Sequence, residues 1–175
     1  MDSSAEKNSS DTTCEFQQNL EMLRQIDFFA GLPMETLKVF AYLCARESFT
    51  TGDHLYHQDD DDGQAFYILS GQLCLMHAVD GQEQSIRSYD AGVFIGGLSL
   101  LGSNQRLFSL KACQDSECLV LNREKFAKAI AQFPDLIPKI FKSVVDSIRS
   151  WDQQILFEMS EKGLSLEGAA GISAL

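Results

Sequence analysis

The stretch GGLSLLGSNQRLF, from Gly96 to Phe108, places three glycines and a single arginine among apolar, small and neutral residues. Such parts suit the capture of an anion. Gly96 lets backbone approach closely, a helix start at Leu98 and Ser99 offers free N–H groups, and Arg106 offers a planar charged fork. The same arginine is equally suited to pairing with one of the acids nearby in the chain.

Other groups capable of chemistry are spaced less tellingly. QDDDDGQ, residues 58 to 64, has the look of a calcium loop. With Gly63 at the sixth position, however, Gln58 falls first and Leu69 twelfth, where carboxylates are needed. It reads as a solvated turn. His54, His57 and His77 lack the closely spaced pair with a following glutamate that a metal-dependent barrel enzyme uses, so no metal site is expected. Cys14, Cys44, Cys74, Cys113 and Cys118 are odd in number and contain no CxxC, which predicts small buried hydrophobes rather than disulfides or zinc ligands. No Ser-His-Asp, Cys-His or P-loop pattern occurs, and the chain is read as non-catalytic with no cofactor.

These groups need a scaffold, and composition bounds it. The 175 residues fit one domain with flanking tails, and a 45% hydrophobic fraction with twelve Phe supplies a core. A formal charge of -11 repels DNA and anionic lipid at long range, so small ligands and proteins are the expected partners. The first residues carry no basic, apolar leader and no run is long enough to span a bilayer, which predicts a cytoplasmic protein without membrane contact.

Periodicity divides the chain into parts. Residues 1–13 and 159–175 read as flexible tails around a domain at 14–158. Phe16, Leu20, Leu23 and Ile26 are spaced as one helix face, and Leu37, Phe40, Ala41 and Cys44 as another. From about 46 to 122, short runs such as HLYH, AFYILSG, QLCLMHAV and CLVL alternate with turn signals at Gly52, Gly71, Gly81 and Gly92. Many short strands at regular spacing predict an antiparallel β-roll or jelly-roll barrel, and the fold class is α+β. Helical periodicity returns over 123–158. Ile137, Phe141, Val144, Ile148, Trp151 and Ile155 follow a 4-3-4-3-4 spacing, which predicts a long C-terminal helix and a homodimer through it.

This order of elements resembles the cyclic nucleotide-binding domain shared by bacterial catabolite activator proteins, the regulatory subunits of cAMP-dependent protein kinase and gated ion channels. The likeness covers about Leu20 to Phe157 and rests on FFAGLPMETLKVFA, GDHLYHQDDDDGQAFYILSGQL and RLFSLKACQDSECLVLNREKF. In that family a phosphate-binding cassette reads Gly-Glu-Leu-Ala-Leu, a few residues, then Arg and small residues. By this resemblance Gly96, Gly97, Leu98, Ser99, Arg106, Leu107 and Phe108 form the cassette, and Arg106 clamps a cyclic phosphate. The family's purine contacts fall on Trp151 and Asp152, an indole able to stack and a carboxylate able to accept from an exocyclic amine. The chain departs from the pattern at Gly97, where the family's glutamate accepts from the ribose hydroxyl, and at Leu107 and Phe108, which replace small residues.

The resemblance therefore implies a non-catalytic sensor of a cyclic nucleotide, cAMP first, that acts through a protein partner. The alternative is a degenerate β-roll that has lost its nucleotide and serves as an interaction or scaffold module. The helix-turn-helix of the transcription factors is missing after Phe157, so no DNA binding by the family's route is expected.

Overall fold

The computed structural model describes residues 14–79 and 81–161. The tails read at 1–13 and 159–175 lie outside the described residues, apart from 159–161, which continue the last helix. The chain opens with helix α1 (residues 14–23), a 3-10 turn at Asp27–Phe29 and α2 (Met34–Leu43). Eight strands follow: β1 (Ala45–Phe49), β2 (His54–Tyr56), β3 (Gln64–Ser70), β4 (Gln72–Val79), β5 (Gln82–Asp90), β6 (Phe94–Ile95), β7 (Ser109–Ala112) and β8 (Ser116–Asn122). Helices α3 (Arg123–Gln132) and α4 (Ile137–Glu161) close the domain.

The strands make two antiparallel sheets, β1-β8-β3-β6 and β2-β7-β4-β5. Their inner faces bury Phe66, Ile68, Leu73, Leu110 and Cys118 between them. A second core lies outside the first sheet, where Ala65, Tyr67, Leu119 and Leu121 meet Leu23, Phe28, Phe29, Phe40, Phe126 and Ile140 of the helices. Strand β3 is thus buried on both faces, which is why AFYIL runs apolar without alternation. Gly71, between β3 and β4, has φ 84°, and a Cβ there would lie 2.3 Å from Ser116 Oγ and 2.4 Å from the Asp115 carbonyl. Only glycine fits that turn.

The N-terminus of α3 is capped by Asn122, whose Oδ1 accepts from Lys125 N at 2.9 Å. Pro134–Leu136 form a 3-10 turn, so Pro138 enters α4 as its second residue, where a missing N–H breaks no intrahelical bond. Leu136 of that turn and Ile140 of α4 sit in the helical core, and Ser143 Oγ donates to the Asp27 carbonyl at 2.7 Å. The 4-3-4 stripe of α4 does not stay together. Val144 packs against the domain's own core, while Ile137, Phe141 and the neighbouring Val145 are exposed, Phe141 by 68%. The side chains of Trp151 and Ile155 lie outside the described residues.

The expectation that all five cysteines are unpaired is overturned at two of them. Cys74 and Cys113 form a disulfide with Cα atoms 5.9 Å apart. Tertiary pairing brings them together: β4 and β7 are neighbours in register, Cys74 lies opposite Lys111, and Cys113 N donates to the Gln72 carbonyl at 2.9 Å. A separation of 39 residues hides that adjacency from a sequence count. Cys14, Cys44 and Cys118 are free.

Candidate functional site

Between β6 and β7 the chain leaves the first sheet, turns through a 3-10 helix at Gly97–Leu100 and returns to the second. Gly96 starts the turn with φ 88°. A Cβ at Gly96 would stand 2.8 Å from the Gln64 carbonyl and 2.9 Å from Arg106 Nη1, so the residue must be bare on two counts. Ser99 N donates back to the Gly96 carbonyl at 2.9 Å, leaving Gly97 and Leu98 at the open start of the turn. Ser99 Oγ is buried and has no hydrogen-bond partner among the described residues.

Arg106 answers the question that its spacing raises. It is only 7% exposed. Asp62 Oδ1 accepts from its Nε at 2.7 Å and Oδ2 from its Nη2 at 3.0 Å, a two-pronged ion pair, and the Gln64 carbonyl also accepts from Nη2. The guanidinium lies over the Tyr56 ring, 4.0 Å from its centroid. Burial pushes the Tyr56 hydroxyl up to about 12, against the opposing pull of Arg106. Among the described residues no hydrogen bond uses Nη1, which faces Gly96.

The acid run is the turn that its composition suggests, exposed at Asp59, Asp60 and Asp61, and it has a second role. It grips the cassette. The Asp60 carbonyl accepts from Arg106 N and Asp59 N donates to the Arg106 carbonyl, both at 2.8 Å. Asp61 accepts from Ser103 Oγ, Asn104 N and the guanidinium of Arg123, and Arg123 Nε donates to the Ser99 carbonyl at 2.7 Å. Hydrogen bonds from Arg123 and then Ser103 hold the Asp61 carboxyl well below the usual carboxylate range. One turn therefore ties the cassette to the first residue of α3.

The two bulky residues after the arginine part company. Leu107 points outward, 75% exposed, and obstructs nothing. Phe108, in the bend just before β7, meets His77 edge-on with ring centroids 5.5 Å apart, beyond the last β4–β7 pair at Met76–Ser109. Of the pair, Phe108 is the partly buried one. Gly97 is placed differently from a simple loss of an acceptor: a Cβ there would lie 3.0 Å from both Phe28 Cδ2 and Phe94 Cε1. Leu98 is exposed. The structure thus brings Gly96, Gly97, Leu98, Ser99 and Arg106 into one loop with Phe108 beside it, and Leu107 outside. Trp151 and Asp152 lie on α4, but their side chains fall outside the described residues.

Sequence reasoning missed Asp62, Tyr56, the Gln64 carbonyl and Arg123, whose signal was the acid run 44 residues before Arg106. It also missed Arg87 on β5. Arg87 lies opposite Leu75 and beside Tyr89, so it shares the barrel's inner row, and its guanidinium sits 5.5 Å from the Tyr89 ring centroid. No ion pair holds it among the described residues. The described residues contain no group of three or more His, Cys, Asp or Glu able to hold a metal ion, and no described helix is long and apolar enough to cross a membrane.

A two-sheet β-roll thus carries a glycine-started turn and a buried arginine beside it. The family model of the cyclic nucleotide-binding domain matches residues 46–133, half of the chain, and the chain belongs to that family. It is 28% identical to the cyclic AMP receptor protein of Thermus thermophilus over 73% of this chain and 59% of that one. It is 24% identical to cGMP-dependent protein kinase 2 of Homo sapiens over 86% of this chain and 21% of the kinase. The chain thus spans less than two thirds of either relative. Among solved structures, a cyclic nucleotide-binding domain from Methylobacillus flagellatus superposes with a TM-score of 0.68 at 20% identity, covering 86% of this chain and 85% of that one.

Proposed function

We propose that the chain is a non-catalytic cytoplasmic sensor of a purine 3′,5′-cyclic nucleotide that passes its state to a protein partner. One observation carries this reading. Arg106 is buried beside the cassette turn with Nη1 in no hydrogen bond among the described residues, and the bare Gly96 lets the backbone of the turn come close to that nitrogen. A cyclic phosphate seated there would accept from Nη1 and from the open N–H groups at the start of the turn.

Two observations bear on the purine. The family resemblance favours cAMP. Arg87 on the inner row favours guanine, because an arginine fork donates to guanine O6 and N7 but meets a donor on adenine. A second copy of the chain is the proposed dimer partner, through Ile137, Phe141 and Val145 of α4.

A second reading has its own support. Asp62 already occupies the arginine fork as a phosphate would, so the roll stands complete without a ligand and would serve as a scaffold. Titration calorimetry with cAMP and cGMP separates the two. The sensor reading expects saturable heat that Arg106→Ala abolishes. No heat at millimolar concentration of either nucleotide leaves the scaffold.

A further inference from the structure

We propose that Cys74 and Cys113 are a reversible thiol–disulfide switch that controls the mobility of the cassette. The bond joins the middle of β4 to the residue after β7. The loop it closes contains β5, β6, the glycine-started turn, Arg106 and β7, so the link adds to the hydrogen bonds that already hold the cassette. Cross-linking removes conformations from the opened and unfolded loop, which makes opening of the cassette more costly, and a loop of this length is in the range where that effect is large.

The neighbourhood suits cycling rather than a permanent staple. The strands are held together apart from the sulfur bond, since Leu73, Cys74, Leu75 and Met76 pair along β7, and Cys113 N and Gln114 N both reach the Gln72 carbonyl. The two sulfurs therefore remain poised to rejoin. Cys113 is partly accessible and Cys74 is buried. The accessible thiolate attacks a small-molecule disulfide, taken here as oxidised glutathione, forming a mixed disulfide and releasing one glutathione thiolate. The Cys74 thiolate then attacks the Cys113 sulfur, forming the protein disulfide and expelling the second glutathione. Two electrons pass from the protein dithiol to glutathione disulfide, and the two thiol protons end on the two glutathiones.

The remaining cysteines do not compete. Burial pushes the Cys44 thiol up to about 12, against the pull of Lys125, and burial with Glu47 and Glu117 pushes Cys118 up to about 12. Cys14 sits exposed on α1, away from both sulfurs.

The test uses the full chain in glutathione buffers spanning reduced to oxidised ratios. Maleimide counting after denaturation should change from five thiols to three, the disulfide removing two of the five cysteines. Hydrogen–deuterium exchange over residues 96–108 should quicken about tenfold on reduction, and melting should fall by about 10 °C. Cys113→Ser should count four thiols and match the reduced chain in exchange and melting in every buffer. Five thiols throughout, or equal cassette exchange in both redox states, overturns the proposal. Its consequence for ligand affinity rests on the sensor reading, whereas the exchange readout does not. A chain that shows the exchange change but binds no nucleotide refutes that reading and leaves the switch standing.

Discussion

Replacing Asp62 by alanine tests what Arg106 is held for. The substitution removes the acceptor of the bonds at 2.7 and 3.0 Å and leaves a guanidinium that is 7% exposed facing a vacated carboxylate site, itself only 14% exposed. Breaking a buried pair from one side costs about 3–5 kcal/mol. The Gln64 carbonyl and the Tyr56 ring still touch the cation, so the lower end, about 3 kcal/mol, is the expected loss. For a domain of this size that is a fall of about 10 °C in Tm. The vacated site then matches a phosphate or sulfate in charge and fork geometry. An anion at about 20 times its Kd should return roughly 1.8 kcal/mol, or about 6 °C, to the variant. The unmodified chain should gain less than about 1 °C, because Asp62 fills the fork. Thermal melting in sulfate, against chloride at equal ionic strength, reads both effects. Equal anion effects on the two chains, or no loss of Tm in the variant, would refute the account of Arg106 as a buried, anion-competent cation.

Gly97→Glu should destabilise by about 1–3 kcal/mol without tightening any nucleotide, since its Cβ would press on Phe28 and Phe94; denaturant midpoints and calorimetry of the same variant check both halves, and tighter binding would show that the missing acceptor is the main defect after all. Asp61 has its pKa depressed by Arg123 and Ser103, so its contribution is complete above the unfolded value of about 4 and is lost as pH falls through the lower folded value. Asp61→Asn should accordingly flatten the acid limb of the stability curve below about pH 4 and leave its shape near neutrality unchanged; an acid limb identical to that of the unmodified chain sinks the idea. Light scattering should give twice 19.5 kDa for the native chain and the single mass for Phe141→Glu, and a native mass of 19.5 kDa would return α4's exposed stripe to solvent.

Local spacing carried much of the protein into view. A period of two marks strands and a period of 3.6 marks helices whatever surrounds them, so the helices, the roll and the long terminal helix are legible in the chain itself. The spacing from Gly96 to Arg106 is local too, and it locates the loop. Two short strands escaped, β6 at Phe94–Ile95 and β7 at Ser109–Ala112. What only the tertiary structure decided is who meets whom. Asp62 reaches Arg106 across 44 residues and Cys74 reaches Cys113 across 39. Both meetings depend on strand register, which is set by the packing of the whole barrel rather than by either segment. The same holds for sidedness. Leu107 and Phe108 are adjacent and both bulky in the sequence, yet the bend before β7 leaves Leu107 in solvent and sets Phe108 against His77. On α4 the regular apolar stripe is wider than the core can cover, so packing against the Asp27–Phe29 turn selects Val144 for the interior and leaves Phe141 outside.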